Sequence, residues 1–172
     1  MHPGQGEARA ALSLASPRRL GWITFVAILV FIVDRLTKNA VTDRLAPGES
    51  REVLGDYVRI THAQNTGAAF GLLPERTTLL SILSVVAVFV ILYYYRQLRS
   101  ESPLIATTLG LQLGGAFGNL IDRLTQGYVV DFIDVGVGPY RYWTFNVADS
   151  SIVVGIFGVI GLLWLEERRG KK

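Results

Sequence analysis

Four stretches of this 172-residue chain are predominantly apolar, and polar residues gather between them and at their ends in short clusters. The first runs from Leu20 to Val33, 14 residues without a charge. It extends to about Ala40 only with Asp34, Arg35 and Lys38 at its outer end, where long side chains reach for the interface. The second, Thr77–Tyr95, is 19 residues without a charge and closes on three tyrosines, an interfacial anchor. The third, Pro103–Ile121, is again 19 residues and carries Gly110, Gly114 and Gly118 at four-residue spacing, a surface on which two helices approach closely. The fourth spans about Val147–Leu165, with Gly155, Gly158 and Gly161 and with Trp164 near its far end. Apolar residues clustered in this way, rather than spaced along one helix face, predict an all-α membrane protein with four transmembrane helices at about 20–40, 77–95, 103–121 and 147–165.

The segments between the spans set the rest of the architecture. Residues 1–19, with Gly, Ala, Ser, Pro and three arginines, read as a disordered cytoplasmic extension. The apolar run after it is followed by Asp34-Arg35 instead of a small-residue cleavage site, so it reads as an uncleaved span. Residues 45–76 hold β-leaning stretches at Arg51–Leu54 and Tyr57–Thr61 and a turn at Asn65-Thr66-Gly67. Residues 122–146 hold Gly127, Gly136, Gly138 and Pro139 among valines and aromatics. A small periplasmic β-sheet and loop region is the expectation. Nine basic residues lie in the short segments 1–19, 96–102 and the C-terminal end, against eight over roughly twice that length on the other side. The positive-inside rule then places both termini in the cytoplasm, with residues 166–172 as a basic cytoplasmic tail.

Composition narrows the chemistry. Basic residues form no stripe with aromatics, so nucleic acid is not an expected partner; membrane lipid is. No cysteine is present, which removes thiol nucleophiles and thiolate metal sites, and with only His2 and His62 no metal or other cofactor is expected. A Ser-His-Asp triad would have to run through His62, without a Gly-x-Ser-x-Gly turn to support it. The sequence sets no oligomeric state; a monomer is compatible with it.

What remains is carboxylate chemistry. Polar groups gather at the outer ends of spans one, three and four: Asp34 and Lys38, then Asn119, Asp122 and Arg123, then Asn146 and Asp149, with Asp131 and Asp134 in the connection before the last span. Such groups are costly in helices of Leu, Ile and Val unless they face one another or a wet cavity. Two carboxylates in a partly dry site share a proton: the ionised one draws a proton from water and the neutral one donates to a carbonyl. Spacing alone leaves open which two of Asp122, Asp131, Asp134 and Asp149 meet. Each polar residue also has a plainer role. Asn146 with Asp149 three positions on resembles a capping box, and Asp122 beside Arg123 suits a local ion pair. Asp34 and Lys38 stand one helical turn apart, and Asn65 is a turn residue. Asp134 reads as a solvated loop acid and His62 as a surface residue. A small transporter or a non-enzymatic scaffold would also place acids in spans, although here the acids collect at one face and form no relay across the bilayer.

Five segments taken together resemble the bacterial lipoprotein signal peptidase family, signal peptidase II. Asp34-Arg35-Leu36-Thr37-Lys38 is similar to its Asp-x-x-Thr-Lys, and Asn65-Thr66-Gly67-Ala68-Ala69-Phe70-Gly71 to its Asn-x-Gly-Ala-Ala-Phe/Trp-Gly. Gly118–Arg123 is similar to its Gly-Asn-x-x-Asp-Arg, Val129–Phe132 to its Val-Val-Asp-Phe, and Phe145–Ser150 to its Phe-Asn-x-Ala-Asp-Ser. The likeness covers about residues 20–165, in order, and makes that stretch a four-span peptidase domain. It implies Asp131 and Asp149 as the catalytic pair, Asn65, Asn119, Asp122, Arg123 and Asn146 lining or bracing the site, and Asp34 and Lys38 supporting it. It further implies an inner-membrane aspartyl endopeptidase whose site lies near the periplasmic face. Its substrate would be a diacylglyceryl-modified prolipoprotein, cut just before the lipidated Cys by an activated water.

Overall fold

The structure, a computed structural model, describes residues 17–67, 77–97 and 102–170. Its elements in chain order are α1 (Pro17–Thr42), β1 (Ser50–Leu54), β2 (Val58–Asn65), α2 (Thr77–Gln97), α3 (Pro103–Gln126), β3 (Val129–Val137), β4 (Tyr140–Arg141) and α4 (Val147–Gly170). Proline opens both α1 and α3, where its fixed φ suits the first turn and its missing N–H costs no bond. α1 therefore starts three residues before the expected span, and Pro17–Arg19, placed by the sequence in a disordered extension, are helical. Residues 1–16 of that extension, residues 68–76, and Lys171-Lys172 of the tail lie outside the described residues. α3 runs five residues past its expected end, because the first residue to leave the helix is Gly127. Its φ of 81° is the left-handed region glycine tolerates, and its N–H caps the Arg123 carbonyl. Asp122 and Arg123 are thus helical, not loop residues.

α3 is the axis of the bundle. Ile105, Ala106 and Leu109 pack with Ile23 of α1 as a buried cluster, and α1 and α4 lie along two sides of α3. Glycine permits that approach. A Cβ on Gly110 would stand 2.7 Å from Val26 Cβ, and one on Gly114 would stand 2.6 Å from the Ala27 carbonyl oxygen, both on α1. On the other side Gly155 of α4 leaves room for the Gln112 side chain, 2.6 Å from where its Cβ would be. The outward faces stay apolar: Phe25, Ile28 and Leu29 of α1 and Val154, Phe157 and Ile160 of α4 are all exposed. In water such faces would be a large unfavourable surface; hydrocarbon removes the cost. By length and composition α1, α3 and α4 each suffice to cross a membrane, whereas the described apolar part of α2, Thr78–Tyr93, is shorter.

The four strands form one antiparallel sheet in the order β1-β2-β3-β4. It rests on the C-terminal end of α1, where Val41 and Leu45 pack on Phe132 of β3. Between β2 and β3 the register pairs Ala63 with Asp131 and Asn65 with Val129, after a shift between Ile60 and Ala63. β2 runs four residues further than its sequence pattern suggests and so carries Asn65 on its last position. Two sequence readings are overturned in this sheet. Asp134 is not a solvated loop acid: it lies in β3, only 8% exposed, held by Arg141 Nε at 2.9 Å and by the Thr61 hydroxyl at 3.1 Å. His62 is not at the surface: it is buried, its Nδ1 2.8 Å from the Leu45 carbonyl, where β2 turns back onto the end of α1.

If close α1–α3 contact organises the bundle, Gly114→Leu overpacks it and lowers stability by about 1–3 kcal/mol. A lowered melting temperature in detergent micelles is the expected result; an unchanged one contradicts the packing argument.

Candidate active site

The site begins with charges that the apolar helices must neutralise. Asp34 and Lys38 are one turn apart on α1; Asn119 and Asp122 are one turn apart on α3. Lys38 has three donors and meets three acceptors: Asp34 Oδ2 at 2.6 Å, Asp122 Oδ2 at 2.7 Å and Asn119 Oδ1 at 3.0 Å. Arg35 Nη1 pairs with Asp122 Oδ1 at 2.8 Å. Two cations therefore face two carboxylates, and the remaining Asp34 oxygen accepts the Ala148 backbone N–H at 2.9 Å, an orphan donor in the first turn of α4. This cluster ties together α1, α3 and α4. Asp122 pairs across to α1 and not with its neighbour Arg123, contrary to the local ion pair its sequence position suggests. The Arg123 guanidinium turns instead to the Asn119 carbonyl, 3.4 Å away.

Above the ion cluster sit three asparagines whose amide orientations are each fixed by a group that can only donate. The Lys38 ammonium holds Asn119 Oδ1, so Asn119 Nδ2 points the other way and donates to Asp149 Oδ1 at 2.7 Å. The Asp149 backbone N–H holds Asn146 Oδ1 at 2.8 Å, so Asn146 Nδ2 donates to Asp131 Oδ1 at 2.7 Å. The Gly67 backbone N–H holds Asn65 Oδ1 at 2.9 Å, so Asn65 Nδ2 donates to Asp131 Oδ2 at 2.7 Å. Asp131 is thus gripped on both oxygens. Asn146 bridges from Asp131 to the first turn of α4, and its Nδ2 also lies 3.2 Å from Asn119 Oδ1. The capping box read from Asn146 and Asp149 is present as well: the Asn146 backbone N–H reaches Asp149 Oδ2 at 3.3 Å. Capping and site-building are one arrangement, not rivals.

Asp131, Asp149, Asn65, Asn119 and Arg123 line a cavity of about 380 Å³. The rest of its wall is Val129, the segment Tyr142–Phe145, and Ser150, Val153 and Val154 of α4. The Asp131 carboxyl is pushed up to about 7, chiefly by burial and then by the charge of Asp149; the amide N–H groups of Asn65 and Asn146 and the Lys38 ammonium pull the other way. Every site residue read from the sequence joins this arrangement: Asp34, Lys38 and Asp122 in the ion cluster, and Asn65, Asn119, Arg123, Asp131, Asn146 and Asp149 around the cavity. Asp134, the fourth acid left open by spacing, lies instead in the Arg141 pair. Sequence reasoning missed the Arg35–Asp122 pair, although a second charge beside Asp34 in an apolar helix was a usable signal. It also missed the apolar walls, for which the sequence held none. Ala68–Gly71 of the Asn65 segment lie outside the described residues.

A family model described as "Signal peptidase (SPase) II" matches residues 26–165. The chain belongs to the signal peptidase II family. A lipoprotein signal peptidase from Moorella thermoacetica is 45% identical over 139 residues, covering 81% of this chain and 88% of that protein. One from Halothermothrix orenii is 39% identical over 148 residues, covering 86% and 99%. Among solved structures, a bacterial membrane enzyme determined by the in meso method at 2.3 Å resolution matches with a TM-score of 0.80 and 32% identity, over 88% of this chain and 92% of that one. A second, at 1.9 Å, matches with a TM-score of 0.74 and 33% identity over 83% and 92%. The signal peptidase II match begins within α1 and ends within α4, so it spans all the polar positions described above.

Two outcomes follow from the electrostatics. Lys38→Met leaves two buried carboxylates without their shared cation and destabilises the fold by about 3–5 kcal/mol, read as a fall in melting temperature; an unaltered melt contradicts the role given to the cluster. Asp131 binds its proton more tightly folded than unfolded, so its contribution to stability is full below the unfolded value of 3.8 and is lost as pH rises through about 7. The melting-temperature difference between wild type and Asp131→Asn, measured from pH ~4 to ~8, narrows or reverses toward the alkaline end. A difference that instead grows with pH contradicts the raised carboxyl.

Proposed function

We propose that this chain is a membrane aspartyl endopeptidase that removes signal peptides from diacylglyceryl-modified prolipoproteins. The observation that carries the reading is the pair Asp131 and Asp149, linked through Asn146 and Asn119 and both lining one open cavity. Membership of the signal peptidase II family supports the substrate class. The carboxyls share one proton. The ionised member draws a proton from water as it attacks the scissile carbonyl, and the neutral member donates a hydrogen bond to the oxygen on which charge builds. No covalent intermediate is needed. Collapse returns a proton to the leaving amine and frees the signal peptide, cut just before the lipidated Cys. Arg123 beside the pair favours anionic character in the transition state. Asn65, Asn119 and Asn146 aim the carboxyls, and Asp34, Lys38 and Asp122 hold the three helices that carry them.

In this reading all four helices cross the bacterial inner membrane, both termini are cytoplasmic, and the sheet lies at the periplasmic interface over the site. The apolar outer faces of α1 and α4 and the polar cluster at one end of the bundle support that placement. Purified Asp131→Asn and Asp149→Asn proteins should fold and insert yet cleave lipidated prolipoprotein at least about a hundredfold more slowly than wild type. Cleavage at the wild-type rate by either variant removes that residue from the chemistry. Proton flux in proteoliposomes without peptidase activity favours a transporter instead.

A further inference from the structure

Asp122 is fully buried, and two cations of α1 share it: Lys38 Nζ stands 2.7 Å from Oδ2 and Arg35 Nη1 2.8 Å from Oδ1. The two cations differ in surroundings. The Lys38 side chain is 2% exposed and also holds Asp34 and Asn119. The Arg35 side chain is 30% exposed, and its guanidinium lies 5.9 Å from the centre of the Phe31 ring. Lys38 is built into the bundle, whereas Arg35 approaches from its rim and reaches an acid that Lys38 already pins. What Arg35 adds is a second positive charge.

That charge completes a balance. Among the described residues, the charged groups packed around the aspartate pair are Asp34, Arg35 and Lys38 from α1 and Asp122 and Arg123 from α3. The pair itself stands on β3 and α4. On β2, Asn65 touches Asp131 and carries no charge, while His62 faces the Leu45 carbonyl and Arg59 faces Asp56. Asp134 of β3 is paired with Arg141, and the Tyr142–Phe145 segment adds a neutral phenol. Three cations thus face four carboxyls, counting Asp131 and Asp149. The site is neutral when the pair holds one proton, the state the proposed reaction uses. Cluster and pair are electrically continuous: Lys38 holds Asn119, Asn119 holds Asp149, and the Lys38 ammonium pulls the Asp131 carboxyl down. A guanidinium keeps its charge at every working pH. Without Arg35 the site carries one negative charge too many, where charge is poorly screened. Asp122 keeps Lys38 at 2.7 Å and stays ionised, so the pair relieves the excess by taking a second proton.

We infer that Arg35 sets the protonation state of the aspartate pair: acting through Asp122 and Lys38, its charge holds the pair at one proton over the working pH range. Arg35 is therefore a positioning residue, not a catalytic one. The inference rests on the peptidase reading above and names the group that tunes the same site.

The test compares full-length wild type, Arg35→Gln, Arg35→Lys and Arg35→Gln/Asp122→Asn in detergent micelles. One readout is kcat/KM for a synthetic diacylglyceryl prolipoprotein peptide across pH. The other is the titration of the Asp131 carboxyl by carbon NMR of aspartate-labelled protein, assigned against Asp131→Asn. In Arg35→Gln both limbs of the pH profile and the Asp131 midpoint should move up by about one pH unit, so that kcat/KM on the acid limb falls about tenfold. Arg35→Lys keeps the charge, and the double variant drops one charge of each sign; both should return limbs and midpoint toward wild type. A lower maximum with limbs and midpoint unmoved leaves Arg35 a merely structural role and overturns the proposal. So does a proton taken up by Asp122 in place of the pair. Should Arg35→Gln fail to fold, Asp122→Asn carries the opposite test: with one carboxylate fewer, limbs and midpoint should move down, and an unmoved or raised midpoint overturns the proposal. Absence of cleavage by wild type at every pH sinks the peptidase reading itself, while the Asp131 midpoint still decides the charge claim.

Discussion

The structure depends on one ammonium group with no access to water. Lys38 is 1% exposed and sits between two carboxylates and an amide oxygen. A charge so placed is tolerable only if every donor is met, and meeting them fixes the relative position of α1 and α3. The same carboxylate that satisfies Lys38 also caps the first turn of α4 through Ala148, so the third helix is placed by the second oxygen of Asp34. Glycines on α3 let the backbones come close enough for these short contacts, and the small residues and the buried charges are two halves of one packing solution.

Position becomes function through the asparagines. An asparagine has one accepting and one donating end, and here each accepting end is taken by a group that cannot reverse its role. The polarity established at Lys38 therefore passes through Asn119 to Asp149. Asn65 and Asn146, anchored by backbone N–H groups of Gly67 and Asp149, do the same for Asp131. A carboxyl pair held in this way has its orientation fixed by the fold itself, which is what the proposed reaction requires of it. Burial opposes ionisation of Asp131 while the amides support it, and the balance leaves that carboxyl able to change protonation near neutral pH.

Much of this was legible in the sequence, because membrane segments leave strong signals. Polar and charged residues beside runs of Leu, Ile and Val are costly enough to mark a buried cluster by themselves, and Asp34, Lys38, Asn119, Asp122, Asn146 and Asp149 were singled out that way. The four-residue glycine spacing of α3 likewise predicted close helix contact. Pairing was less legible. Periodicity places Asp122 beside Arg123 in the chain, but α-helical geometry turns the two side chains to different neighbours, and the sequence holds no information on which helix lies opposite. Asp134 and His62 were misread because the two central strands of the sheet, β2 and β3, bury residues that look polar in isolation. The walls Val153, Val154, Tyr142 and Trp143 were invisible for the opposite reason: apolar residues in an apolar helix or beside a strand carry no mark of facing a cavity.

The claim on which the account stands is that both aspartates act on one bond. An experimental structure of the full chain with an uncleaved, lipidated prolipoprotein analogue tests it most directly. The account predicts the scissile carbonyl between Asp131 and Asp149, with one water in hydrogen-bond reach of a carboxyl oxygen. A substrate carbonyl out of reach of either carboxyl, or a lipidated peptide seated away from this cavity, contradicts it.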